Sequence, residues 1–361
     1  QVAKGKERLA HRDQLTKELE DLLTTKGAAQ WISEIRGAGI PCGPIHSIDQ
    51  VFSDPQVEAL QTDQIGALTS SQVAALTTEQ VHAMSSAQLS ALTTDQVGAL
   101  TATQAKALTT TQLASLNTDA LAALTTTQVD AMTATQLNAL NSTQLQALTT
   151  AQNAVLTTAQ VQGLNTTTVS RLATDDLAAL TTAQVAALLT TQLAGLSTTQ
   201  LQALTTAQAV VLTTAQLNAL SSTQVGALTS AQFASLTTGQ VTGLAATKLS
   251  GLTTSQVSGM TTGQIQALTS TQVAALTTDQ LQGFSNDQMA ALEEVDLNAM
   301  STQVITGMST AQVAALSSSQ VAGLSTALLS AMTTEQVASL NTAQIRALST
   351  SQVAALSTAN I

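Results

Sequence analysis

Aromatic side chains are almost missing: the 361 residues contain three Phe, one Trp and no Tyr. With no stacking platforms and a net charge of −11, the chain is unsuited to nucleic acid. A single cysteine, Cys42, allows no intrachain disulfide, and with three histidines in all no Cys/His set has metal-site spacing. Cys42 in its Pro-Cys-Gly loop reads as a loop residue rather than a reactive thiol, and His82 reads as a lone solvated side chain. No run of 18 apolar residues occurs, so no membrane span is expected, and no signal peptide is legible at Gln1. A glycine-rich phosphate loop, a Ser/His/Asp set and paired acids in a cleft are all missing too. The sequence therefore nominates no catalytic residue, no cofactor-binding residue, no metal ligand and no cofactor.

What is present is one phrase repeated. From Ser53 to Leu356 the chain divides into 38 consecutive octads without insertion or deletion, of which Thr69 to Leu76 is representative. Position 1 is Ser, Thr or Asn in 33 octads, position 4 is Gln in 31, and position 8 is Leu in 31 and Met or Phe in the rest. Position 5 is mostly Val, Leu, Ile or Met, and position 7 is Ala, Gly or Ser in 35 octads.

A hydroxyl at position 1 with Gln three residues later is the pattern of a capping box, in which side chain and backbone satisfy each other at a helix start. Asp or Glu at position 3, as in Asp63, Glu79, Asp95 and Asp119, adds negative charge to the first turn, where the helix dipole favours it. One continuous helix is excluded, because eight residues overshoot two turns by roughly 80° and the apolar stripe would spiral. The spacing predicts an all-α superhelical solenoid, one helix of about two turns per octad over positions 2 to 8. Positions 5 and 8 would face inward and positions 2, 3 and 6 outward. A β-solenoid is the alternative, suggested by the abundant Thr and Val, although positions 5, 7 and 8 do not alternate. Helices this short are unstable alone, so stability must come from stacking.

Residues 1–52 differ from the rest in composition, holding seven of the eleven Lys and Arg. Helices are expected over Leu15 to about Thr25 and around Trp31, Ile32 and Ile35, followed by a turn-rich loop. The run from His11-Arg12-Asp13 through Trp31, Ala38-Gly39-Ile40-Pro41-Cys42-Gly43-Pro44-Ile45, Ile48-Asp49-Gln50-Val51-Phe52 and Asp54-Pro55-Gln56-Val57 resembles the C-terminal half of family III CoA-transferases, the formyl-CoA transferase type. The resemblance covers residues 1–58 and implies acyl transfer through an aspartate that lies in an upstream region this sequence does not include. No catalytic residue carries over, and the start at Gln1 suggests a piece of a longer product. The octads themselves resemble, only loosely, short tandem-repeat solenoids of bacterial proteins. The expected organisation is a CoA-transferase-like helical segment (1–52), the array (53–356) and an incomplete repeat (357–361).

Departures from the octad cluster at Thr168, Arg171, Ala173 and Asp176, and again at Glu293, Glu294, Asp296, Gln303 and Val304. These read as degenerate repeats, with Glu293, Glu294 and Asp296 forming a solvated acidic patch. Three functional classes follow: a non-catalytic spacer, scaffold or protein-interaction solenoid that self-associates through its ends; a CoA-transferase fragment without its catalytic region; and an ordered Thr array facing a lattice such as ice. Compartment stays open between the cytoplasm and an exported bacterial surface.

Overall fold

The computed structural model describes residues 60–356, together with Gln30 near the start. The expected helices of residues 1–52, the loop around Cys42 and the stretch 357–361 lie outside the described residues. Within them are 37 helices and no strand, one helix per octad from α1 (Thr62–Gly66) to α37 (Thr350–Ala355). The β-solenoid is thereby ruled out for the octads.

Each helix begins at an extended position 1, whose side chain in most octads caps it. Thr101, at φ −71° and ψ 159°, accepts the Gln104 N–H on Oγ1 at 3.2 Å, while Gln104 Oε1 accepts the Thr101 N–H at 2.6 Å. That pair closes the capping box and satisfies two of the helix's orphan donors. At Glu79, its own backbone N–H and then the hydroxyls of Thr77 and Thr78 hold the carboxyl below its usual range. The helices are shorter than expected, four to six residues, because position 8 leaves the helix. Leu76, at φ −60° and ψ 143°, and Thr77, at φ −74° and ψ 160°, form a two-residue extended joint that redirects the chain into the next helix. Turning at position 8 also drives its Leu into the core.

Packing runs across turns. The helix Ala102–Ala107 packs on Thr78–Ala83 and on Thr126–Ala131, three octads away on either side. Positions 5 and 8 make one continuous apolar column from Ile65 to Leu356, with Val97, Leu121 and Leu201 fully buried and Leu100 and Leu204 nearly so. Position 7 is small because position 2 of the octad three earlier leans on it: a Cβ on Gly243 would come within 2.6 Å of Thr214 Cγ2.

Candidate functional site

The feature that recurs most often in the array is a glutamine inserted between turns. With its Oε1 engaged by the cap amide, the Gln104 Nε2 is aimed backwards at the octad four earlier. It donates to the carbonyls of Val73 at 3.0 Å, Ala74 at 3.4 Å and Leu76 at 2.6 Å. These carbonyls lie at a helix C-terminus and converge on one point, Val73 O also accepting the Leu76 N–H at 3.2 Å. The same contact recurs from Gln88, which reaches Leu60 at the start of the continuous described stretch, through to Gln352, which reaches Leu324. One carboxamide therefore starts its own helix and finishes another 28 residues upstream. Most of these glutamines are buried, Gln104 at 1% exposure. A capping box explains only half of what the side chain does.

Seven octads lack this Gln, and the structure shows what replaces it. At Lys248 the ammonium donates to Leu220 O at 2.5 Å, filling the carbonyl socket, while the orphaned cap amide of Ala245 donates to Asn218 Oδ1 at 2.8 Å. Asn138 Oδ1 likewise accepts the Asn165 N–H at 2.9 Å ahead of Thr168, and Asn298 Oδ1 accepts the Ser325 N–H at 2.8 Å ahead of Leu328. Each of these asparagines also donates to a carbonyl 25 residues on, Gly163, Gly243 or Gly323. They are the only asparagines at position 6, 80 residues apart, and each stands four octads before a missing Gln.

The remaining departures are unlike one another. Asp176 is 4% exposed, and burial, the largest influence, pushes its carboxyl above the usual range against the neighbouring Asn153 amide and the Ala173 N–H. Asn153, the one polar residue at position 5, is 1% exposed, and neither of its amide atoms finds a partner at hydrogen-bond geometry; Thr168 Oγ1 is buried and unsatisfied as well. Asp296 corrects an expectation. It is not part of a solvated patch but is 2% exposed, with Ser270 Oγ donating to Oδ1 at 2.7 Å. Glu293 and Glu294 are exposed, beside an open cleft that also contains Val295, Gln266 and Gln320. Gln303 and Val304 border a second cleft with Leu276 and Asp279. Arg171 follows the short helix Thr166–Ser170 as its C-cap, and Ala173 caps its helix without a side-chain bond.

Position 6, expected to point simply at solvent, also bridges turns. His82 Nδ1 donates to Ala107 O at 3.0 Å, and Gln202 Nε2 donates to Ala227 O at 2.9 Å. Threonines at position 1 spend their hydroxyls on capping, which removes one rank from any lattice-binding surface. Among the described residues no helix is long and apolar enough to cross a membrane, and no group of three or more His, Cys, Asp or Glu is placed to hold a metal ion.

Two family models match the sequence. CoA-transferase family III matches residues 1–77, which extends the expected resemblance beyond residue 58 and into the first octads. No curated protein and no solved structure matches the chain. The ALTTAQ repeat matches residues 70–102, 169–206, 206–238, 265–294, 289–326 and 329–361. The hexapeptide in that description occurs here as Ala179 to Gln184, which is positions 7, 8, 1, 2, 3 and 4: small contact, core Leu, cap, first turn and clamping Gln. Since these matches together cover more than half of the chain, it belongs to the ALTTAQ repeat family.

Proposed function

We propose that the array is a non-catalytic scaffold or spacer that binds protein, in the first instance further copies of itself, through the end faces of the solenoid. The observation that carries this reading is the state of the last described turn. Position 5 is fully or almost fully buried through the body of the array, yet Ile345 is 42% and Val353 48% exposed. These side chains present the surface that every interior turn offers to its successor. A turn of the same kind is the best complement to it. Light scattering on the purified chain should show mass rising with concentration, and Ile345→Asp with Val353→Asp should abolish the rise. A wild-type chain that stays monomeric across that range overturns the reading.

The match of residues 1–77 to CoA-transferase family III supports a second reading, a fragment of such an enzyme whose catalytic region lies outside this sequence. The octads offer no nucleophile with a positioned base. The chain as given is therefore proposed to lack CoA-transfer activity. Exchange of CoA between two carboxylic acids by the purified protein would refute that.

A further inference from the structure

Because each helix packs on the helix three octads away, the helices fall into three stacks, and charge is divided among these unequally. Residues 60–356 hold 13 acidic and 4 basic side chains. The octads of the stack that starts with Thr78–Ala83 hold ten of the seventeen, and those of the stack that starts with Ser70–Ala75 hold five. The third stack, thirteen helices from Thr62–Gly66 to Thr350–Ala355, holds two, Asp63 and Asp279. Its eight consecutive helices from Ser86–Ser90 to Thr254–Ser258 carry no charge at all.

The middle of this run is also apolar on its outer side, where positions 3 and 6 of each helix are neighbours. In the octads 181–188, 205–212 and 229–236, which follow one another in the stack, these positions are Ala183 and Ala186, Ala207 and Val210, and Ala231 and Ala234. All but the half-buried Ala234 are exposed, Val210 at 36%. We propose that the uncharged stack is a lateral interface on which a second copy of the chain docks antiparallel, about a two-fold axis at Val210. Charge selects the occupant. Two chains of net charge −11 repel one another, and this strip alone lets them meet side by side without setting carboxylates against carboxylates. Symmetry selects the direction, because Thr206–Ala209, which ends at Val210, is the seventh helix of thirteen and an antiparallel partner overlaps the whole stack. Such a partner sets Asp279 opposite Ala134–Asn138 and Asp63 opposite Thr350–Ala355, two octads without charge. A parallel partner in register would set each Asp against its own copy. Area is sufficient: with helices about 9 Å long and about 9 Å apart, the stack offers on the order of 1,000 Å² per copy, against about 800 Å² per partner in a standard interface. This surface is separate from the end faces, and association through it closes at two copies.

The test uses the full chain carrying Ile345→Asp and Val353→Asp, so that growth through the last turn is blocked and failure of the end-face reading is told apart from failure of this one. Sedimentation equilibrium of that chain should show a monomer–dimer equilibrium that stops at two copies. Ala183→Glu, Ala207→Glu and Ala231→Glu together should weaken the dimer by about tenfold or more, since like charges juxtaposed in an interface oppose it. The fold tolerates these acids, because Glu79 already occupies position 3 of a helix. The same three charges on another stack, Thr199→Glu, Thr223→Glu and Thr247→Glu, should leave dimerisation unchanged. With Cys42→Ser in place, mild oxidation should link Val210→Cys into a covalent dimer across the axis, and should not link Gln202→Cys, which lies on another stack. An end-blocked chain that stays monomeric, equal effects of the two sets of charges, or cross-linking of Gln202→Cys as readily as Val210→Cys overturns the proposal. A monomer that adsorbs to ice through the strip would likewise overturn it and give the strip to a lattice.

Discussion

Glutamate is the usual alternative to glutamine in a capping box, yet it never occupies position 4 in this array. The carbonyl socket supplies the reason. Glu would still accept the cap amide, but it would turn a carboxylate oxygen towards three carbonyls. Replacing Gln184, Gln192 and Gln200 together by Ala should remove three cap bonds and three clamps, at about 1 to 3 kcal/mol each because the groups left behind are buried. The corresponding Glu variant should melt at or below the Ala variant at pH 7 and recover as pH falls and the carboxyls protonate. Thermal unfolding followed by circular dichroism separates the two, and a Glu variant as stable as wild type at pH 7 would show that the donors are dispensable. Asn218→Ala leaves the Ala245 amide without its acceptor and should destabilise by about 1 kcal/mol, whereas Ser250→Ala should do little. Asp176 adds a pH dependence of defined sign. Its folded pKa is raised, so the folded chain holds the proton more tightly than the unfolded chain does. The stability of residues 141–180 should be full below the ordinary carboxylate range. It should then fall as pH rises through the elevated value, a trend that hydrogen exchange would measure.

At the scale of the helix, burying one Leu side chain is worth about 1.5 to 3 kcal/mol, so Leu204→Asp should melt its neighbourhood. Gln202→Asp gives up one exposed bond to Ala227 and should cost about 0.5 kcal/mol or less. Equal losses at the two positions would invalidate the inward assignment of position 8. Much of this was legible in the sequence. The hydroxyl at position 1, the apolar pair at positions 5 and 8 and the small residue at position 7 are local signals of a short stacked helix. The far half of the glutamine was not legible, because its partners lie 28 to 31 residues back, a separation set by the superhelical pitch rather than by any neighbouring residue. For the same reason Asp296 reads in sequence as one more surface acid, and its burial follows only once the preceding turn is in place. Two signs were available nonetheless: the exclusion of Glu from position 4, and the three position 6 asparagines, each four octads ahead of a missing Gln.

For the molecule as a whole, contacts reach about three to four octads and no further, so stability should grow by nearly equal increments as octads are added. Such a chain also has a direction. From Gln88 onward each position 4 Gln docks on a carbonyl that precedes it by 28 residues, as Gln104 does on Leu76. On a ribosome, every octad therefore emerges when the socket it needs has already been made, and none waits for sequence still to be translated. The distance over which contacts must close stays fixed while the chain lengthens, which keeps the entropy of loop closure small at any length. The array can be assembled by accretion from its first turn, as fast as synthesis delivers it.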